Sequence, residues 1–149
     1  MVNDSFRAAL PFSHRVRVYW EDTDGGGVVY HAQYVAFLER ARTEWLRALG
    51  VEQARLKAEE DRIFAIRGMQ IDFRAPAQLD DELDVRVESV RVGGASLQFV
   101  QSIRRCADGV VLVTAEVKAA SLSASAFRPV ALSDALKQVF LSASQGAAD

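Results

Sequence analysis

One segment of the sequence has the periodicity of a long amphipathic helix, and it constrains the fold more than any other feature. From about His31 to Leu49, apolar residues recur every three or four positions while Glu and Arg residues fill the opposite side. Gly50 follows at once and is typical of the residue after a helix end. We therefore predict one long helix over this segment. The polar stretch 52–61 predicts a short helix or a loop.

Five other segments alternate apolar and polar residues, as strands with one buried face do. They cover residues 15–20, 69–74, 82–92, 97–103 and 110–122. A phase slip at Ser89 predicts a β-bulge, and Gly93-Gly94 and Asp108-Gly109 predict hairpin turns. One helix among strands joined by tight turns indicates an α+β fold. We predict a largely antiparallel five-stranded sheet with one face against the helix.

The length of 149 residues fits a single domain, for which about 100–200 residues is usual. The sequence contains no repeat or linker, so we predict one domain over residues 1–149 with its core at about 14–130. Ser133-Asp134 predicts the cap of a short C-terminal helix over 133–140. Residues 142–149 are predicted to be a disordered tail.

Composition and charge exclude several classes of function. A net charge of −2 provides no general attraction to nucleic acid. The longest apolar run is five residues, 34–38, whereas a transmembrane helix needs about 20. Cys106 is the single cysteine, and His14 and His31 lack the spacing of metal ligands. We therefore predict a soluble, cytoplasmic protein with no nucleic-acid partner, no transmembrane segment and no metal site.

The segment between the first strand and the long helix contains two carboxylates, Asp22 and Asp24, followed by the three glycines 25–27. It does not match an EF-hand loop, which needs Glu where Gln33 stands, or a dinucleotide fingerprint, whose third glycine is replaced by Tyr30. Asp and Gly are also common turn residues, so an ordinary turn is one interpretation. Acyl transfer is the other, because a helix N-terminus with free N–H groups can stabilise an oxyanion beside a catalytic carboxylate.

Several short runs in this region follow a known pattern. They are Arg17-Val18, Thr23-Asp24, Gly27-Val28-Val29-Tyr30 and Tyr34. In this spacing they resemble the active-site signature of the hot-dog-fold 4-hydroxybenzoyl-CoA thioesterase family. The longer runs 21–31, 34–47, 73–81 and 91–96 resemble its YbgC-like branch, the acyl-CoA thioesterases associated with the Tol-Pal envelope system. The resemblance covers about residues 15–130.

This resemblance implies a hot-dog fold, in which the sheet wraps one central helix, and an enzyme that hydrolyses an acyl-CoA to a carboxylate and free CoA. It implies no metal and no bound cofactor. Asp24 matches the family's catalytic aspartate, which acts as nucleophile or as general base on water. His31 matches a histidine of the site, and its backbone N–H matches the group that polarises the thioester carbonyl.

The candidate substrate-binding residues are Trp20, Tyr30, Tyr34 and Glu39. Trp20 stands where the branch usually has tyrosine. We predict that it ends the first strand on the face of Val16 and Val18 and forms an aromatic wall beside the Asp24 loop. The four arginines considered as contacts for the CoA phosphates are Arg67, Arg74, Arg91 and Arg128.

Structural roles compete with several of these assignments. Asp22 is interpreted as a turn residue that shapes the loop. His31 also fits a helix cap, Tyr34 a core position, and Glu39 a solvated helix position.

The resemblance also implies a homodimer or homotetramer with the ligand at the subunit interface. Acyl carrier protein is a possible alternative carrier of the acyl group. The alternative function is a non-catalytic protein that binds acyl thioesters or acyl carrier protein at the envelope machinery. A hot-dog dehydratase is disfavoured by the long match around Thr23-Asp24.

Overall fold

The computed structural model describes residues 8–145. The strands are β1 (Phe12–Arg17), β2 (Arg62–Phe73), β3 (Glu82–Val92), β4 (Ser96–Arg105) and β5 (Val111–Ser123). The α-helices are α1 (His31–Ala48) and α2 (Gln53–Glu60), which separate β1 from β2, and α3 (Asp134–Gln145), which follows β5. A single 3-10 turn, Trp20–Asp22, precedes α1. No helix in this part of the chain is long and apolar enough to cross a membrane.

The five strands form one antiparallel sheet in the order β1-β3-β4-β5-β2. Its apolar face packs on α1, as predicted, so the α+β prediction is confirmed. Trp45 of α1 lies at the centre of this contact and is fully buried. Its ring stacks on Phe140 of α3 and meets Phe99 of β4 edge-on, both at 6.0 Å between ring centroids. The sheet leaves β1 and β2 as its two edges.

A buried polar pair ties α1 to the sheet. The Arg42 guanidinium donates a hydrogen bond to Gln101 Oε1 at 3.0 Å, and Gln101 Nε2 donates to the Leu38 carbonyl at 3.1 Å. Burial lowers the pKa of Arg42 below its ordinary value. Because both side chains find partners, the pair fixes α1 on the sheet without leaving these groups unsatisfied.

Most local predictions agree with the structure. The long helix begins at His31, as predicted, and Gly50 follows its end with φ +84°. The register between β3 and β4 shifts between Val87 and Ser89, which confirms the predicted bulge. The predicted turns at Gly93-Gly94 and Asp108-Gly109 join β3 to β4 and β4 to β5.

Strands β1 and β2 differ from their predicted bounds, and β1 begins at Phe12 rather than at Arg15. β1 ends at Arg17 rather than at Trp20, because the Asp22 carboxylate accepts a hydrogen bond from Tyr19 N and folds residues 20–22 into the 3-10 turn. Strand β2 begins at Arg62, seven residues before the predicted start at Met69. A register shift between residues 66 and 68 interrupts its alternation, so the first half has no period-2 pattern.

The C-terminal helix is longer than predicted. Its cap is confirmed, since Ser133 Oγ accepts a hydrogen bond from Leu136 N at 3.2 Å. The helix continues to Gln145, so residues 142–145 of the predicted disordered tail are helical. Ala143 packs against the core one turn beyond Val139, which explains why the helix does not stop at Phe140. The rest of that predicted tail, 146–149, lies outside the described residues.

Candidate active site

The loop between β1 and α1 is closed by its own backbone. Asp24 N donates to the Val28 carbonyl at 2.9 Å, and Thr23 and Val29 form an isolated antiparallel bridge. The three glycines lie between these contacts, and Gly27 has φ +85°, a conformation that glycine adopts without strain. The result is a narrow loop that projects Asp24 just before the start of the helix.

The Asp24 side chain is exposed, and its carboxylate accepts one hydrogen bond from the described residues. Its Oδ1 accepts a hydrogen bond from Gly26 N at 2.6 Å, and Oδ2 has no hydrogen-bond partner in residues 8–145. A Cβ atom at Gly26 would lie only 3.2 Å from Oδ1, so glycine at this position lets the backbone approach the carboxylate. One carboxylate oxygen is therefore oriented, while the other is available to a ligand.

Asp22 is in the opposite situation. The residue is 6% exposed, its Oδ2 accepts from Tyr19 N at 2.8 Å, and its Oδ1 accepts from Gln33 Nε2 at 2.9 Å. Its backbone carbonyl accepts from Tyr30 N at 2.9 Å. These bonds join the 3-10 turn to the first turn of α1, which agrees with the interpretation of Asp22 as the residue that shapes the loop.

The N-terminus of α1 presents free backbone donors. Tyr30 is the N-cap, and Gln33 N donates back to its carbonyl at 2.8 Å. The N–H groups of His31 and Ala32 have no hydrogen-bond partner among the described residues. Free donors and the positive end of the helix dipole together suit an oxyanion or a polarised carbonyl.

The His31 side chain lines a cavity of about 290 Å³ at this helix end. The imidazole lies against Tyr30 and, at 6.3 Å between ring centroids, edge-on to Phe73. Tyr34 forms the floor and the segment 73–76 forms a wall. The lining therefore combines the rings of Tyr34 and Phe73 with the candidate phosphate contact Arg74 and with one imidazole at the start of the helix.

Two contacts fix the wall of this cavity. The buried Tyr34 hydroxyl accepts a hydrogen bond from Ala77 N at 2.9 Å, and burial raises the pKa of Tyr34 above its ordinary value. Arg105 donates to the Pro76 carbonyl at 3.0 Å and to the carboxylates of Asp81 and Asp108. The pKa of Arg105 is raised, first by its hydrogen bond to Asp108. The segment is thus held from both sides.

The sequence also matches a known family. The sequence model described as the Thioesterase-like superfamily matches residues 18–140 of this chain. The chain belongs to this superfamily. The acyl-CoA thioesterase YbgC of Haemophilus influenzae is 44% identical over 129 residues, which cover 87% of this chain and 93% of the relative. The acyl-CoA thioester hydrolase YbgC of Escherichia coli O6:H1 is 47% identical over 121 residues, which cover 81% and 89%.

A solved structure agrees with these sequence matches. The crystal structure of a probable thioesterase from Bartonella henselae superposes with a TM-score of 0.77 at 36% sequence identity, and covers 83% of this chain and 99% of that one. The predictions of the family, of the hot-dog fold and of a thioester hydrolase are therefore confirmed.

The candidate site residues of this thioesterase differ in whether they line the cavity. His31 and Tyr34 line the cavity, whereas Asp24 does not. Tyr30 is half exposed and touches the cavity only through the His31 ring. Glu39 is exposed on α1, outside the cavity. Among residues 8–145, no group of three His, Cys, Asp or Glu side chains could hold a metal ion.

Trp20 differs most from its prediction. It does not share a strand face with Val16 and Val18, and 78% of its surface is exposed, because it lies in the 3-10 turn. Tyr19 beside it is exposed as well. Both side chains are therefore exposed next to the loop.

Sequence reasoning missed Gln33 as a site residue. Its signal is its position three residues after the N-cap, from which a Gln side chain reaches back over the helix start. Sequence reasoning also missed that Phe73 lines the cavity. Its only signal was the run 73–81, which belongs to the resemblance rather than to any periodicity.

Proposed function

We propose that this protein is an acyl-CoA thioesterase in which Asp24 performs the chemistry as nucleophile or general base. The observation that carries the proposal is that, among residues 8–145, one Asp24 carboxylate oxygen has no hydrogen-bond partner, in the loop that leads into the unpaired N–H groups of α1. Acyl transfer needs this pair, a base or nucleophile and an oxyanion site. The Haemophilus and Escherichia relatives, an acyl-CoA thioesterase and an acyl-CoA thioester hydrolase, support the substrate class.

The thioester carbonyl oxygen accepts hydrogen bonds from the N–H groups of His31 and Ala32. In the nucleophilic route, an Asp24 oxygen attacks the carbonyl carbon, the C–S bond breaks, and the CoA thiolate takes a proton from solvent. Water then hydrolyses the mixed anhydride and restores the carboxylate. In the general-base route, Asp24 removes a proton from the water that attacks the carbonyl carbon, and that proton passes to the leaving sulfur.

The neighbouring side chains have supporting roles in this proposal. The His31 imidazole faces the acyl group together with the ring of Tyr34, whose hydroxyl oxygen accepts a hydrogen bond from Ala77 N. Tyr30, Trp20 and Glu39 stay candidate substrate contacts. All three are exposed on this subunit, so they reach a ligand only where it extends beyond the cavity.

We further propose a homodimer or homotetramer. Strand β2 is an unpaired edge of 12 residues on which Ile66 and Phe73 are 46% and 52% exposed. The other edge, β1, is half as long, and its Arg15 and Arg17 are paired with Glu82. Short, charged edges resist pairing, whereas a long edge that exposes large apolar side chains favours it, although Arg67 and Asp72 on β2 are exposed as well. Light scattering that reports a 16.4 kDa particle at every working concentration would overturn this part.

The activity is tested with a panel of short-chain, long-chain and aromatic acyl-CoAs and acyl carrier protein thioesters, with released thiol as the readout. Hydrolysis of an acyl-CoA supports the proposal. Binding of these thioesters without any release of thiol would contradict it and favour the non-catalytic alternative, an acyl-thioester or acyl-carrier-protein binding protein of the envelope machinery. The cytoplasmic location stays a prediction.

A further inference from the structure

A short segment, residues 76–78, contacts both halves of the candidate site. Ala77 at its centre is fully buried. The Ala77 N–H donates a hydrogen bond to the Tyr34 hydroxyl of α1 at 2.9 Å, and the Ala77 carbonyl accepts one from Val29 N at 2.9 Å. One residue therefore joins the helix on one side to the loop that contains Asp24 on the other.

The contact reaches Asp24 through paired backbone. Gln78 forms an antiparallel bridge with Val28, and the Val28 carbonyl accepts a hydrogen bond from Asp24 N at 2.9 Å. Residues 77–78, 28–29 and 23–24 are therefore three short segments, each hydrogen-bonded to the next. Because the first of them is also bonded to α1, its position sets where Asp24 lies relative to the N-terminus of the helix.

Arg105, at the end of β4, holds the segment from outside the cavity. Its Nη2 donates to the Pro76 carbonyl at 3.0 Å, its Nη1 to Asp108 Oδ2 at 2.8 Å and its Nε to Asp81 Oδ2 at 3.3 Å. The same Asp81 oxygen accepts from Gln78 N at 2.9 Å. Only 22% of the Arg105 side chain is exposed. The planar guanidinium thus bonds three acceptors at fixed angles, which a lysine ammonium does not reproduce.

The peptide group between Pro76 and Ala77 is consequently held on both sides. Its carbonyl accepts from Arg105, and its N–H donates to the Tyr34 hydroxyl. Arg105 does not line the cavity of His31. It therefore has no direct route to a substrate in that cavity, and any effect on the reaction passes through residues 76–78.

We propose that Arg105 is a positioning residue for thioester hydrolysis. By fixing residues 76–78 it sets the distance between the Asp24 carboxylate and the N–H groups of His31 and Ala32. The inference rests on the roles proposed for these groups in the reaction. A displacement of about 1 Å between reacting groups can lower turnover about a hundredfold, so a small shift of this segment is enough to affect the rate.

The test measures kcat, KM and Tm of Arg105→Gln with the best acyl-CoA of the panel. We expect kcat per folded molecule to fall between about tenfold and a hundredfold, because the reacting groups lose their relative position. We expect KM to change by less than about twofold, because every side chain that lines the cavity is retained. A residue that only stabilises the fold would lower Tm and leave kcat per folded molecule unchanged.

Asp108→Asn is the matched control. It removes the negative partner of Arg105 but leaves the bond from Arg105 to the Pro76 carbonyl, and the asparagine oxygen can still accept from Val110 N. We expect its kcat to equal that of the wild type, even if its Tm is lower. Wild-type kcat in folded Arg105→Gln, or an equal fall of kcat in both variants, would overturn the proposal.

A second variant covers the case in which Arg105→Gln does not fold. Arg105→Lys keeps the positive charge between Asp81 and Asp108 but replaces the planar fork by a single ammonium. We expect it to fold and to show the same fall in kcat at an unchanged KM. Wild-type kcat in Arg105→Lys would show that charge alone suffices, which contradicts a role in positioning.

A double variant tests whether Arg105 acts through the peptide between Pro76 and Ala77. Tyr34→Phe removes the acceptor on the other side of that peptide and keeps the ring in the cavity. If both side chains act on one peptide, the double variant loses less kcat than the product of the two single losses. Losses that multiply would show independent action and overturn the proposal. A wild-type protein that releases no thiol from any acyl-CoA would instead contradict the proposed function, so the two failures are distinguishable.

Discussion

Asp22 and Asp24 are two residues apart in one loop, yet the structure gives them opposite environments. Asp22 is buried, and both of its carboxylate oxygens accept hydrogen bonds, from Tyr19 and Gln33. Asp24 is exposed, and within residues 8–145 only one of its oxygens accepts a hydrogen bond, from the nearby Gly26 N. The difference teaches that two carboxylates of one loop can be separated by their hydrogen bonds: both acceptors of Asp22 are occupied, whereas Asp24 keeps one oxygen available to a ligand.

The largest effect is expected for Asp24→Asn. The amide keeps the size and the turn geometry but cannot attack a thioester or take a proton from water. We expect kcat to fall between about a hundredfold and ten-thousandfold, the range of general acid–base contributions. Thiol release from the best acyl-CoA of the panel measures it. Retained binding of that acyl-CoA is the control for an intact pocket.

A loss of stability is expected for Asp22→Ala. The substitution removes two hydrogen bonds to a charged group and leaves the Tyr19 and Gln33 donors unsatisfied, so the free energy of unfolding should fall by about 3 kcal/mol. For a chain of this length that corresponds to a Tm lower by about 10 °C. Asp24→Ala is the matched control, with a change of about 0.5 kcal/mol or less, because the residue is exposed. Equal melting temperatures for the two variants would remove the distinction between the aspartates.

A smaller loss of stability is expected when Gln33, the side-chain donor to Asp22, is replaced. Gln33→Ala removes one hydrogen bond, from Gln33 Nε2 to Asp22 Oδ1, and should cost about 1.5 kcal/mol. Gln53→Ala is the control, because it removes an exposed hydrogen bond from Gln53 Nε2 to Thr43 Oγ1. We expect its free energy of unfolding to fall by about 0.5 kcal/mol at most. Urea unfolding of both variants checks the difference. A Gln33 variant as stable as the Gln53 variant would show that Asp22 holds the loop without it.

The smallest effect is expected for Trp20→Phe. The indole is exposed and donates no hydrogen bond to the described residues, so kcat should stay within severalfold of wild type and Tm should not change. Trp45→Phe is the contrasting control, because the Trp45 N–H donates to the Ala8 carbonyl at 2.9 Å inside the core, and its loss should lower Tm. A hundredfold fall in kcat for Trp20→Phe would instead show that the indole N–H takes part in the reaction.

The long helix, the hairpin turns and the α+β class could be predicted from the sequence because their signals are local. The period of residues 31–48 and the glycine after them define α1 without any tertiary information. The β3 bulge was visible as a phase slip at Ser89 because the strand on both sides of it alternates.

The remaining features depend on contacts that a local pattern does not contain. The position of Trp20 is decided by the hydrogen bond from Tyr19 N to Asp22, which ends β1 early. The first half of β2 is a strand because β5 pairs with it on both sides of its register shift. Phe73 enters the cavity because the packing of Tyr34 and His31 brings α1 to the end of that strand. The catalytic assignment itself came from a resemblance, and Asp24 could not be separated from an ordinary turn residue by pattern alone.

The central claim is that Asp24 supplies chemistry and Asp22 supplies structure. It is tested most directly by measuring kcat per folded molecule and Tm on the same samples of Asp24→Asn and Asp22→Ala. The account predicts a crossed result. Asp24→Asn melts like the wild type and has lost at least a hundredfold in kcat, while Asp22→Ala melts about 10 °C lower and keeps turnover in its folded fraction. An Asp24→Asn protein with wild-type melting and near-normal kcat would contradict the claim.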